Sequence, residues 1–171
     1  GLLKFSNIRE HHTSFEKVLS GLKASPNMRH LIIRQSSLSH HHLQMVTKVL
    51  QLNDGIAWLV LDHNDIDDNG VQDIANGLSE NSSVEHVVLS DNNIGDRGAH
   101  ALANMMATNH QFKTLFLQGN HISDVGIHAL SDALTKRPPI DTIDVRDNPI
   151  SETTLKQLEG RCHQLGIRCY T

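Results

Sequence analysis

The chain has 171 residues, 38% of them apolar and 20% charged. That is one domain or one regular array with a real core, and too apolar for a disordered tail. The 15 Lys and Arg against 19 Asp and Glu leave a net charge of −4, so no basic excess asks for a nucleic-acid backbone. No apolar run approaches the length a membrane helix needs, about 18 residues or more. With 2 cysteines there is no disulfide scaffold. Aromatic residues make up only 4%, so the core must be built from aliphatic side chains.

Residues 1–27 begin with Leu3 and Phe5 at alternate positions, the pattern of a short strand. Phe15, Val18, Leu19 and Leu22 follow at the spacing of an amphipathic helix. This reads as an incomplete leading unit, either a cap or the stump of a longer array. The chain opens on Gly1 without an initiator Met, and the expectation is a cut N-terminus tethered to further sequence. A myristoylation motif would need Ser or Thr where Phe5 stands, and no signal peptide is visible.

From Met28 onward the sequence repeats. Similar segments begin at Met28, Ile56, Val84, Phe112 and Ile140, evenly spaced without insertion or deletion. The first half of each unit alternates: Leu59 and Leu61, Val87 and Leu89, Leu115 and Leu117, Ile143 and Val145 share one face of a strand. Asn64, Asn92, Asn120 and Asn148 come next, with amides suited to satisfying backbone groups where the chain leaves the strand. Ser36 takes that place in the first full unit and predicts a weaker turn there. Ile66, Ile94, Ile122 and Ile150 then fold inward.

The second half of each unit is helical. Ser39, Asp67, Ser123 and Ser151 stand where N-caps are needed. Val71, Ile74 and Leu78, and likewise Ile127, Leu130 and Leu134, supply the apolar stripe. Gly70, Gly98 and Gly126 in the first turn are expected to bring each helix close to the sheet. Asn53, Asn81 and Asn109 are expected as left-handed C-caps, and Pro138-Pro139 as the stop of the fourth helix. The last helix is expected to run to about His163, followed by a closing strand within Gly166–Tyr170 and a natural C-terminal end.

The pattern LxxLxLxxNxI, with Val or Ile replacing some Leu and a Gly and helical Leu pattern after it, resembles the leucine-rich repeat. The 28-residue length is similar to the ribonuclease-inhibitor-like type. The resemblance covers about residues 28–167 and is specific for fold, not for function. It implies an α/β, right-handed solenoid with a concave parallel sheet and convex helices. The organisation expected is residues 1–27 as partial repeat and capping helix, 28–167 as five repeats, and 168–171 as a closing strand. Thin strands stacked beside thicker helices make the arc.

Outward-pointing strand positions form the candidate binding face. Ile32, Val60, Val88 and Phe116 make an apolar row, with His30, Trp58 and His86 two residues earlier and Arg34, Asp62 and Arg146 two residues later. Exposed aromatic anchors in an apolar patch are what interface hot spots are made of. Branched residues on neighbouring strands also pack against each other with no partner at all, and an N-terminal domain of the same protein could cover the row. The expectation is a partner site at these ten residues. His30 and His86 flank Trp58, which makes that binding a candidate for pH dependence between pH 5 and 8.

Chemistry is otherwise sparse. His11-His12 and His40-His41-His42 read as surface residues, because consecutive positions point in different directions and no Cys joins them. Asp65–Gly70 resembles half of an EF-hand loop, but Asn76 stands where its final Glu belongs, and a strand replaces the preceding helix. No nucleophile elbow, P-loop or dinucleotide motif occurs. Cys162 has His163 beside it but occupies the place of Leu50, Leu78 and Leu134, a core position. Cys169 could lie near enough to pair with it. The Asn81-Ser82-Ser83 sequon matters only in a secreted chain.

The expected function is therefore a non-catalytic, cytoplasmic protein-interaction module of a larger regulatory protein. It needs no cofactor or metal and binds a protein partner, not nucleic acid or membrane. The resemblance extends to the repeat domains of NOD-like receptors, tropomodulin-like actin regulators, Ran GTPase-activating proteins and some bacterial effectors, so a GTPase-activating module or an innate-immune or effector-type sensing domain is the alternative. The loop residues Asp91, Asp96, Arg97 and Asp124 would serve the GTPase-activating alternative.

Overall fold

A computed structural model describes residues 1–7, 12–22, 25, 27–136 and 140–171. Seven strands and six helices alternate among them. The leading unit gives β1 (Leu2–Ser6) and α1 (His12–Leu22). The following units give β2 (His30–Arg34), α2 (His40–Leu52), β3 (Trp58–Val60), α3 (Asp68–Glu80), β4 (His86–Val88), α4 (Asp96–Thr108), β5 (Thr114–Phe116), α5 (Asp124–Ala133), β6 (Thr142–Asp144), α6 (Glu152–Leu165) and β7 (Arg168–Tyr170). His11 and Pro138-Pro139 lie outside the described residues; α5 ends at Ala133.

All seven strands pair in parallel in the order of the sequence. Parallel neighbours need a crossover, and right-twisted strands feeding helices make it right-handed. The register moves by one whole repeat per step from β1 to β6, so Leu3, Leu31, Leu59, Val87, Leu115 and Ile143 stand side by side. Between sheet and helices runs one aliphatic core, with Leu31, Leu59, Val87, Leu115 and Ile143 fully enclosed and Phe15 and Phe112 its buried rings. Phe15, Leu19 and Leu22 close the front of this core, while Val18 faces out. Cys162 sits in it as a buried thiol, next to the half-buried Cys169.

Ser39, Asp67, Ser123 and Ser151 do cap their helices. Helix α4 has Gly95 at its N-cap position, with no side chain to cap with; Asp68 of the previous unit reaches across, its Oδ1 accepting from Gly95 N at 2.7 Å and Gly98 N at 3.0 Å. Asp96 does the same for Ser123 N and Gly126 N, and Asp124 for Ser151 N. A carboxylate at a helix N-terminus meets both free N–H groups and the positive end of the dipole. Burial opposes the charge on Asp96, but hydrogen bonds from Ser123 and Gly126 hold its pKa below the usual carboxylate value.

This bridge corrects the expected role of the helix glycines. A Cβ at Gly98 would meet Val71, Ile94 and Asp68; one at Gly126 would meet Ile122, Asp96 and Ala99. The space is taken by the preceding helix and its carboxylate, so the close approach is chiefly helix to helix. Asn53, Asn81 and Asn109 also differ from expectation. Their backbones are extended, with φ of −119°, −84° and −86°. Their amides form a second ladder instead: Asn81 Nδ2 donates to Leu50 O and Asn53 O, and its Oδ1 accepts from Val84 N. A side chain that ties three segments together holds the backbone where it accepts best, and a left-handed cap is not needed.

Left-handed backbone occurs at the strand exits. Asn7, Gln35, His63, Asp91, Gly119 and Asp147 all have φ between 50° and 67° and stand one repeat apart. This turn delivers Asn64, Asn92, Asn120 and Asn148 under the strand ends. Each amide donates to a carbonyl of the preceding unit (Ile33, Leu61, Leu89 and Leu117 O), and each Oδ1 accepts a backbone N–H from it. In the first full unit Ser36 Oγ donates within its own turn, to Arg34 O.

Candidate functional site

The outward side of the sheet carries the ten expected residues in one field. Parallel in-register pairing puts His30, Trp58 and His86 side by side at the start of β2, β3 and β4. Their rings stack. Trp58 and His86 have centroids 4.0 Å apart at 22°, and His30 lies 6.3 Å away on the other side at 20°. His86 Nδ1 is 2.9 Å from Thr114 Oγ1, which fixes the ring's plane.

The apolar row is less open than expected. Val60 is only 5% exposed, and Ile32, Val88, Phe116 and Trp58 are half-buried. Val60 has Ile32 on one side and Val88 on the other in register. Strands about 4.8 Å apart leave branched side chains no gap, so Val60 supports the face and offers little surface of its own. The flanking charges are already matched. Arg34 Nε donates to Asp62 at 2.6 Å, and Arg146 grips the buried Asp144 through Nε and a guanidinium nitrogen at 2.6 Å. Asp62 is mostly buried, so Arg34 and Arg146 present the accessible polar surface.

β7 adds residues that the repeat pattern hides. Thr142 pairs with Arg168 and Asp144 with Tyr170, a step two positions shorter than the repeat interval. Gly166, at φ 71°, ends α6 and sends the chain straight into β7. A groove of about 540 Å³ runs from Trp58 and His86 past Phe116 to Arg146, Arg168 and Tyr170. Arg146 lies over the Tyr170 ring, 5.3 Å from its centroid.

The histidines elsewhere are mostly at the surface, with one correction. His42 is buried, caps Ser39 N through Nδ1 at 3.3 Å and meets Phe15 edge-on at 5.4 Å. No group of three or more His, Cys, Asp or Glu among the described residues is placed to hold a metal ion. No described helix is long and apolar enough to cross a membrane.

A family model described as Leucine Rich repeat matches residues 59–75, 80–103 and 108–131. The repeats of this chain are leucine-rich repeats. With their 28-residue period and βα units they are of the ribonuclease-inhibitor-like type. Solved structures share this leucine-rich-repeat solenoid, two among them as follows. One is leiomodin-1 actin-binding site 2, with a TM-score of 0.73 and 19% identity over 88% of this chain and 90% of that one. The other is the tropomodulin C-terminal domain of Caenorhabditis elegans, with a TM-score of 0.76 and 10% identity over 90% of this chain and 92% of that one. At those identities the likeness is one of fold. No curated protein sequence matches the chain.

The ring stack sets one titratable side chain, His86, face to face with Trp58. Burial holds the His86 pKa below the ordinary histidine value; Glu85 pulls it up, Lys113 pushes it down and Asp141 pulls weakly upward. The unfolded chain therefore takes up this proton first, and stability tied to neutral His86 is lost as pH falls from about 6.5 through the folded value. Trp58 is the only tryptophan, so its fluorescence reads the stack directly. A transition below about pH 6.5 is expected, and His86→Gln should remove most of it. The same transition in that variant would place its origin elsewhere.

Proposed function

We propose that this chain is a non-catalytic protein-interaction module that binds a protein partner on the concave face of its sheet, within a larger cytoplasmic regulatory protein. The observation that carries the reading is the Trp58 ring held flat between His30 and His86, beside half-buried Phe116. An aromatic fixed by its neighbours loses little freedom on binding, which is the character of an interface anchor. The two free thiols suit a reducing compartment. One of the two solved relatives is named as an actin-binding site, so actin is the first partner to test.

Affinity capture from a cell lysate, with wild type, Trp58→Ala and Phe116→Ala side by side and actin probed in each eluate, tests the reading. Trp58→Ala should weaken capture of the specific partner by about 2 kcal/mol, roughly 30-fold. A partner retained equally by wild type and by both variants binds somewhere other than the sheet face and overturns the proposal.

A further inference from the structure

We infer that the C-terminal half of the concave groove takes an extended acidic segment of a partner protein, with a carboxylate on Arg168 and a large apolar side chain between Trp58 and Phe116. This rests on the protein-binding reading of the same face and gives it a ligand chemistry.

Charge points to the occupant. The outward strand row holds Lys4, Arg34, Arg146 and Arg168 against Asp62 and Asp144. Four cations against two carboxylates put +2 on these strand positions, with Asp141 and Asp147 on the loops beside them, on a chain whose net charge is −4. The surplus is not evenly spent. Arg34 is matched by Asp62, and Arg146 by Asp144. Arg168 is exposed at the groove's end and makes no ion pair with any described residue. Asp144 contributes no net repulsion to an incoming anion, since Arg146 covers it and leaves it 1% exposed. At the other wall, Glu85 is held by Lys113 at 2.9 Å.

Shape agrees with charge. Trp58 and Arg168 stand at equivalent register positions on β3 and β7. Four strand spacings make that about 19 Å, the reach of roughly six extended residues. The volume of about 540 Å³ holds only part of such a segment, so a few side chains enter and the backbone crosses above the strands. Trp58 and Phe116 line the apolar end, and the planar Arg168 guanidinium, suited to a carboxylate, stands at the other, on the strand that also carries Tyr170.

A phage library of random 12-residue peptides, selected on the immobilised chain, supplies the probe; selected peptides are then synthesised and their affinities measured by fluorescence anisotropy. The expected peptides carry Asp or Glu a few residues from an aromatic or Leu. They should lose at least tenfold in affinity on Arg168→Glu, several-fold on Arg168→Gln, and tenfold or more on Trp58→Ala, while Lys48→Glu on α2 leaves them unchanged. Raising NaCl from 50 to 500 mM should weaken them as well. Circular dichroism of each variant separates lost binding from lost fold. Neutral or basic peptides that need Trp58 but ignore both Arg168 variants overturn the acidic specificity and leave the concave reading standing. Selected peptides that ignore Trp58 and Arg168 alike place binding off this face. If the library yields no binder, the peptide groove is wrong, and the lysate comparison still decides whether a folded surface docks there.

Discussion

Asn92→Ala is expected to lower the free energy of unfolding by about 4 kcal/mol. Asn92 is 5% exposed and makes five hydrogen bonds with one amide. Its Oδ1 accepts from Asn64 N and Ile66 N, both at 3.0 Å, and its Nδ2 donates to Leu61 O, Leu89 O and Ser90 O. Alanine leaves two enclosed N–H groups without this acceptor, at about 1–3 kcal/mol each. The damage is also directional. In a solenoid each unit contacts only its neighbours, and these bonds are the seam between the units of β3 and β4. Urea unfolding read by circular dichroism reports the whole array, while Trp58 fluorescence reports the unit just before the seam. The two transitions should coincide in wild type and separate in the variant, with the fluorescence change first. Asn148→Ala is the comparison: its amide is only half-buried, water can replace it, and the loss should be clearly smaller. A loss below about 1 kcal/mol for Asn92→Ala would show that the turns are held by strand pairing alone.

Much of this fold was legible because a repeat amplifies weak signals. One Val-x-Leu pair is an ambiguous strand; an equivalent pair in each successive repeat fixes strand, register and buried face together. Ser39, Asp67, Ser123 and Ser151 were legible as caps because the physics is local. The bridging carboxylates were not. Asp68, Asp96 and Asp124 recur at the same interval, but each acts on the next unit, and an acidic residue in a helix's first turn already has a sufficient local explanation. Asn81 misled for the same reason: Asn after a helix suits a left-handed cap, while its actual bonds run to Leu50 and Asn53. The true left-handed position is filled by Asn, Gln, His, Asp and Gly, too mixed a set to stand out by composition.

The candidate face was partly legible. The repeat interval alone places His30, Trp58 and His86 shoulder to shoulder, though stacking at 4.0 Å is a side-chain outcome that spacing does not dictate. It overestimated exposure at Val60 because a column of branched residues covers its own middle. It missed Arg168 and Tyr170, since β7 arrives two positions early and breaks the count. The most open end of the groove is thus the part where the sequence stops repeating.

Gly98→Ala is expected to destabilise the chain by about 3 kcal/mol, although alanine is the better helix former by about 1 kcal/mol. The added methyl would stand 2.6 Å from Val71 Cγ1, 2.7 Å from Ile94 Cγ2 and 2.8 Å from Asp68 Oδ1. The two carbon contacts are rigid, because Val71 and Ile94 are fully buried. Relief must therefore come from a shift of α4 away from Val71 and Asp68, whose Oδ1 accepts from Gly95 N and Gly98 N. That shift uncaps α4, which has no side-chain cap of its own. Overpacking and lost charge-assisted hydrogen bonds then act together against the propensity gain. Gly160 supplies the control: it lies in α6 with nothing within 4 Å of an added Cβ. Gly160→Ala should stabilise by up to about 1 kcal/mol. Equilibrium urea unfolding of the two variants should therefore shift in opposite directions for the same chemical change. A Gly98→Ala midpoint at or above that of wild type would falsify the interlocked helix starts, and would mean that neighbouring repeats can slide apart by several tenths of an ångström without loss.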